Sequence, residues 1–351
     1  MSETIVIETA ARIFADLADP QAVNRAEDEA WKETLWRALA DAGLTLAWVP
    51  EQHGGVGASL ADGFDIIGVA GRYAACLPLA ETLLAGWLLS RAGLAAPAGP
   101  MTVAPARPGE AITLGPDGTL SGRARFVPFA RAARHLAVAA DGPDGPAVAL
   151  VTADACRIVA GRNLAGDPLD AVVLEHVAPV ALAPAPEGLR ATLMAMGAVA
   201  RSVATAGALD ALVSLSVRYA NERIAFERPI AKFQAVQHAL ARLAGEAAAA
   251  LAASGSAADA IARAEAFDEA VLLEAASAKI RCGEAAAEGA AIAHQVHGAI
   301  GFTREHVLHR FTLRLLAWRD DFGHESHWAL QLGNLVAARG ADALWPLVAS
   351  R

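Results

Sequence analysis

Cysteine is scarce in this chain: only Cys76, Cys156 and Cys282 occur in 351 residues. Three widely separated thiols exclude a disulfide framework and a paired-cysteine metal site, and they are the pattern of reduced thiols in a cytoplasmic protein. Basic residues are in deficit, with 29 Lys and Arg against 38 Asp and Glu and a net charge of −9. That balance argues against a nucleic-acid backbone binder, while leaving room for a local basic pocket around a small anion. Charged residues make up 19% and hydrophobic ones 55%, which excludes a disordered chain. The longest apolar stretch, residues 191–217, is interrupted by Arg201 and Asp210, so no membrane-spanning helix is expected. Residues 1–10 carry Glu3 and Glu8 and no basic cluster, so they do not read as a signal peptide. Phosphate-binding glycine loops and the nucleophile elbow of hydrolases are missing as well.

Proline is absent from most of the second half. Residues 101–186 hold 10 of the 17 prolines, whereas between Gly188 and Trp345 only Pro229 occurs. Proline breaks interior helix hydrogen bonds, so the two stretches must differ in architecture. The pattern predicts an α+β chain, mostly α, in three parts: a helical domain (1–100), a small middle β-domain (101–186) and a four-helix bundle (187–351). In the first part Trp31, Leu35, Ala38, Leu39 and Ala42 recur at helical spacing and Gly43 stands at a C-cap. Ser59 is placed to cap the next helix, and another helix covers 79–92. The middle part has short apolar runs at 135–140, 147–152, 156–160 and 171–177. A turn cluster, Gly142-Pro-Asp-Gly-Pro146, separates two of them, and an antiparallel barrel or sandwich follows. In the last part apolar stripes predict long helices over 199–217, 233–243, 264–292 and 325–339. The Ser254-Gly255-Ser256 segment reads as a helix–turn–helix junction. Broad alanine-rich faces suit oligomerisation.

Two segments carry chemistry. The first is Tyr219-Ala-Asn-Glu-Arg-Ile-Ala-Phe-Glu-Arg-Pro-Ile230, followed by Phe233-Gln-Ala-Val-Gln-His238. The second is His294-Gln-Val-His-Gly-Ala-Ile-Gly-Phe-Thr303, followed by Leu308-His-Arg310. Arg223 is a permanent cation with a planar fork suited to a pyrophosphate. Gln234 both donates and accepts. Phe226, three residues after Arg223, is expected on the same helix face, ready to pack on a flat ring.

Both segments, with the loop Pro50-Glu-Gln-His-Gly-Gly-Val-Gly57, resemble the acyl-CoA dehydrogenase family over nearly the whole chain. The resemblance implies α,β-dehydrogenation of an acyl-CoA thioester with FAD as cofactor and an electron-transfer flavoprotein as electron acceptor. It implies that Arg223, Phe226 and Gln234 reach the FAD of a neighbouring subunit. It also implies that Gln295, Gly298, Gly301 and Gly323 contact flavin. The family's usual catalytic glutamate falls on Phe322, and its alternative position, on the first bundle helix, falls on Gly197; neither residue takes a proton. Asp321 adjoins the first position and is the candidate base.

Other departures are a short middle domain without the usual flavin-ring segment, Glu227 for a glycine, and His324 for a threonine. Trp318-Arg-Asp-Asp-Phe-Gly323 further resembles a divergent branch whose two unlike subunits form an α2β2 tetramer acting on steroid side-chain CoA thioesters. A tetramer with itself or with a paralogue is expected, and the substrate is expected to be bulky or branched. The pairs His294/His297, His306/His309 and His324/His327 lack a matching ligand cluster, so no metal site is expected.

Overall fold

The computed structural model describes residues 3–264 and 268–349, and it places a sheet between two helical parts. Ahead of the sheet come α1 (Glu3–Leu17), α2 (Pro20–Arg25), α3 (Ala30–Asp41), α4 (Leu60–Arg72) and α5 (Leu79–Arg91). Local chemistry sets their ends. Gly43, just past α3, has φ 74°, a conformation that costs glycine nothing. Ser59 and Asp62 form a reciprocal capping box at the start of α4. Ser59→Ala is expected to cost about 1 kcal/mol of stability, read as a shift of the urea unfolding midpoint. Helix α5 is apolar on nearly every side and buried along almost its whole length.

The sheet comprises β1 (Met101–Ala104), β2 (Ile112–Leu114), β3 (Leu120–Pro128), β4 (His135–Gly142), β5 (Gly145–Thr152), β6 (Arg157–Val159), β7 (Leu169–Val177) and β8 (Ala181–Pro184). The strand order is β6-β7-β3-β2-β4-β5-β8, with β1 added on β4. The predicted turn at 142–146 closes the β4–β5 hairpin, with Gly142 opposite Gly145. The four apolar runs coincide with β4 to β7. The sheet is not purely antiparallel, because β1 and β2 both run parallel to β4. One face has its own core, including Leu120, Val127, Leu136, Val138 and Val172. From the other face Val103, Ala137, Val148 and Leu150 join the helical core.

After the sheet come α6 (Leu189–Glu222), the two-stranded hairpin β9 (Ile224–Ala225) and β10 (Arg228–Pro229), α7 (Gln234–Arg263), α8 (Glu269–His297), α9 (Leu308–Trp318), α10 (Glu325–Arg339) and α11 (Leu344–Ala349). Helices α6, α7 and α8 pack mutually, α9 lies on α6 and α8, and α10 lies on α8. The fourth place of the bundle is thus shared by α9 and α10. The junction expected at 254–256 is absent, for α7 runs through it unbroken. Ser254 is buried and its hydroxyl donates to the Leu251 carbonyl at 3.2 Å, which satisfies it inside the helix. The turn comes later: Ala264 closes α7 and Asp268 caps α8, so part of the helix start expected at 264 lies outside the described residues.

By length and composition alone α6 is long and apolar enough to cross a membrane, contrary to the sequence expectation, but 61% of its most apolar window is buried within this chain. It packs backbone-close on α4, where a Cβ at Gly71 would meet the Ala204 carbonyl and one at Gly207 the Gly68 carbonyl.

Candidate functional site

The first motif falls where α6 gives way to α7. Helix α6 ends at Glu222, and residues 224–229 form the β9–β10 hairpin. Phe226 therefore does not share a helix face with Arg223, as the spacing had suggested. Phe226 and Glu227 both have positive φ, 52° and 66°, the backbone of a two-residue hairpin turn that favours asparagine and glycine. The strained turn holds the Phe226 ring out in solvent, 90% exposed. Behind it the Arg228 guanidinium lies 4.4 Å from the Phe233 ring centre. Arg223 and Gln234, the first residue of α7, are also exposed.

The second motif ends α8. Gln295 is exposed in its last turn, and Gly298 follows with φ 64° and nothing within 4 Å of an added Cβ. A groove of about 570 Å³ runs past Gln295, Gly298, Ala299 and Phe302. Phe302 is 75% exposed and stacks on His294 at 4.4 Å. The two motifs meet through Tyr219, whose hydroxyl donates to the His297 carbonyl at 3.1 Å.

The remaining candidates lie elsewhere. Gly197 and Tyr219 are 22 residues apart on α6, about 33 Å of helix rise. Beside Gly197 the α9–α10 turn brings in Phe322, 1% exposed, with φ 54°. A Cβ at Gly197 would collide with three atoms of the Phe322 ring. The two positions at which a base was sought thus touch, and an aromatic ring fills the space between them.

Asp321, the candidate base, is held by its neighbours. It is buried, and Arg201 Nε donates to its Oδ2 at 2.8 Å. Arg201 also pairs with Glu81, which is 1% exposed. Lys279, buried beside them, donates to the carbonyls of Trp318 and Arg319 at 2.8 and 2.9 Å. Burial pushes Lys279 down to about 8 and raises Glu81 against the pull of Arg201. Drawing Asp321 towards a substrate would half-strip a buried guanidinium, which costs several kcal/mol. Asp321 is a member of a charge cluster that ties α5, α6 and the α9–α10 turn together. Glu325 is engaged too, its Oε1 accepting from Arg319 Nε at 2.6 Å.

Comparison with known proteins gives the family and the fold. The family "Acyl-CoA dehydrogenase, N-terminal domain" matches residues 2–96, and "Acyl-CoA dehydrogenase, C-terminal domain" matches residues 188–319. The chain belongs to the acyl-CoA dehydrogenase family. It is 29% identical over 310 residues to the acyl-CoA dehydrogenase IpdE2 of Mycobacterium tuberculosis, covering 88% of each chain. It superposes on a variant of the Tcur3481-Tcur3483 steroid ACAD with TM-score 0.83 and 30% identity, over 96% of this chain and 98% of that one. A chain of the ChsE4-ChsE5 complex from Mycobacterium tuberculosis shares the fold, with TM-score 0.84 and 22% identity over 95% and 97%.

Within the acyl-CoA dehydrogenase frame, two of the motif glycines are packed against this chain's own side chains. Gly301 is buried, and a Cβ there would meet Leu308 Cδ2 at 2.9 Å and His297 Cβ at 3.1 Å. Gly323, also buried, has φ 99°, and Trp328 Nε1 lies 2.8 Å from its would-be Cβ. FAD needs a cation for its pyrophosphate, open backbone and an aromatic surface. The end of the bundle supplies these with Arg223, Gly298 and Phe226. The Phe322 ring occupies the space between the two positions where the family places its base. Sequence reasoning missed the Glu81–Arg201–Asp321–Lys279 cluster. Its signal was a lone arginine in an apolar helical stretch and a lone glutamate in another.

Proposed function

We propose that this chain is one of two unlike subunits of an acyl-CoA dehydrogenase, and that it completes the FAD site of a paralogous partner. One observation carries the reading: Phe322 packs on Gly197, so an apolar ring seals both positions at which the family places its base. The residues that point outward are kept. Arg223 offers a guanidinium fork to the pyrophosphate, Gln234 an amide that donates and accepts, Phe226 a ring, and Gly298 an open backbone approach. FAD when bound supplies the two-electron acceptor for α,β-dehydrogenation of a thioester. The partner then provides the base, and an electron-transfer flavoprotein takes the electrons. The similarity to a steroid ACAD and to a two-protein complex supports a bulky, steroid side-chain-like acyl-CoA as substrate and a heterotetramer as the assembly. The cytoplasm is the expected compartment.

The test is the visible spectrum of the chain purified alone and with a co-expressed paralogous acyl-CoA dehydrogenase subunit. The expected result is a colourless chain alone and a yellow complex with one FAD per pair of unlike chains. Arg223→Ala in the complex is expected to weaken FAD at least about tenfold, the worth of a charge-assisted hydrogen bond. One FAD per chain in the isolated protein, bleached by an acyl-CoA, would overturn the reading.

A further inference from the structure

The two arms of the proposed FAD surface sit on different helices, and a side chain outside both contact sets fastens them together. Tyr219 lies one helical turn before Arg223, and its backbone carbonyl accepts the Arg223 N–H at 2.9 Å. Its hydroxyl donates to the carbonyl of His297, the last residue of α8, at 3.1 Å. Terminal carbonyls of a helix lack intrahelical partners, so this bond fixes the point where α8 turns into Gly298. The Tyr219 ring stacks on the His297 imidazole at 4.4 Å and 26°, and it meets the His306 ring edge-on at 5.9 Å. His297 and His306 are themselves 4.8 Å apart. His297 Nδ1 donates to the Ala293 carbonyl at 2.8 Å, which sets the ring's orientation. Burial pushes His297 down to about 4, so near neutral pH it stacks as an uncharged ring. The stack joins the end of α6, the end of α8 and the 298–306 segment.

We infer that Tyr219 is a positioning residue for FAD, holding Gly298 and Gln295 in register with Arg223 without touching the cofactor itself. The inference rests on the shared-site reading and adds to it a residue that sets the spacing between the two arms.

Two variants separate the contributions. Tyr219→Phe keeps the ring and removes the hydroxyl, and Tyr219→Leu removes both. Amide hydrogen exchange on the isolated chain tests the geometry without flavin or partner. Residues 298–303 are expected to exchange faster in Tyr219→Phe and faster still in Tyr219→Leu, while the centres of α6, α7 and α8 keep their protection. In the two-chain complex, FAD affinity is expected to fall about fivefold in Tyr219→Phe, the worth of one hydrogen bond, and further in Tyr219→Leu. Loosening spread evenly over the bundle, or no change at 298–303, would overturn the inference, since Tyr219 would then be a core residue only. If Arg223→Ala weakens FAD and both Tyr219 variants bind it normally, the positioning role is wrong and the shared site stands. If Arg223→Ala leaves FAD unaffected, the shared-site reading fails, and the exchange data alone judge what Tyr219 holds.

Discussion

Arg201→Met is expected to cost about 3–5 kcal/mol of folding free energy, the range found when one partner of a buried ion pair is removed. Arg201 is 5% exposed, and its two acidic partners, Glu81 and Asp321, are 1% and 7% exposed. Methionine fills much of the volume but leaves both carboxylates in the core without their cation. Lys279 stands near Asp321 and offsets part of that loss, but its ammonium is already committed to the Trp318 and Arg319 carbonyls. Glu81 Oε2 has no partner even with Arg201 in place, so Glu81 is the more exposed to the change in energy, though the more buried in space. The contrast that isolates the mechanism is Glu81→Leu with Arg201→Met and Asp321→Leu in one chain. Replacing all three charges, together with Lys279→Met so that no buried ammonium is left beside a missing anion, is expected to recover most of the loss, because the desolvation of the charges goes with them. Urea unfolding of the three proteins measures this. A single variant within about 1 kcal/mol of the parent would mean that the cluster contributes as little as a surface ion pair.

Part of this architecture was legible in the sequence, and the division follows the range of the interactions. Gly43, Ser59 and the 142–146 turn act within a few residues, so residue type was enough to place them. Strands β1 to β3 were not singled out, because β1 and β2 are three or four residues long and β3 shows Arg123 and Arg125 to solvent. What makes them strands is their neighbours β4 and β7. The Ser254-Gly255-Ser256 segment has weak helix propensity, but burial of Ala250, Ser254 and Ala257 along α7 outweighs a preference of at most about 1 kcal/mol per residue. Phe226 was misplaced for the opposite reason, since nothing in its local pattern announces a left-handed turn made of phenylalanine and glutamate.

At the site, the motif residues were found because they match a family, and all of those on the bundle's end are exposed as a shared surface requires, except Gly301. Asp321 was chosen for its adjacency to the family position. Its true partner, Arg201, lies 120 residues away in sequence and is shared with Glu81, and only the folded chain shows that pairing.

Phe322→Ala is expected to cost about 3–5 kcal/mol, as other buried phenylalanine truncations do. The ring is 1% exposed, lies against the bare backbone at Gly197, and sits 5.9 Å from the Arg201 guanidinium. Backbone strain does not rescue the variant, because alanine bears the same Cβ penalty as phenylalanine at φ 54°. Gly197→Ala is expected to cost about 1–3 kcal/mol by overpacking, since its methyl would enter the same ring. The two positions compete for one space, so their effects are not additive. Combining Phe322→Ala with Gly197→Leu puts a side chain on α6 into the volume the ring has left, and a coupling of about 1–3 kcal/mol in its favour is expected. A double-mutant cycle in urea reads that coupling. Strict additivity would mean that the ring and the glycine are not in contact, and the seal over the base position would then be gone as an argument for a partner subunit. The functional corollary uses the same protein. Phe322→Ala opens the cavity but adds no proton acceptor, so in the isolated chain it is expected to gain no acyl-CoA dehydrogenase turnover. Turnover appearing in this variant would mean that a carboxylate nearby, Asp321 first among them, becomes competent once the ring is gone. The phenylalanine would then be a plug on a working site rather than the mark of a site given over to the partner.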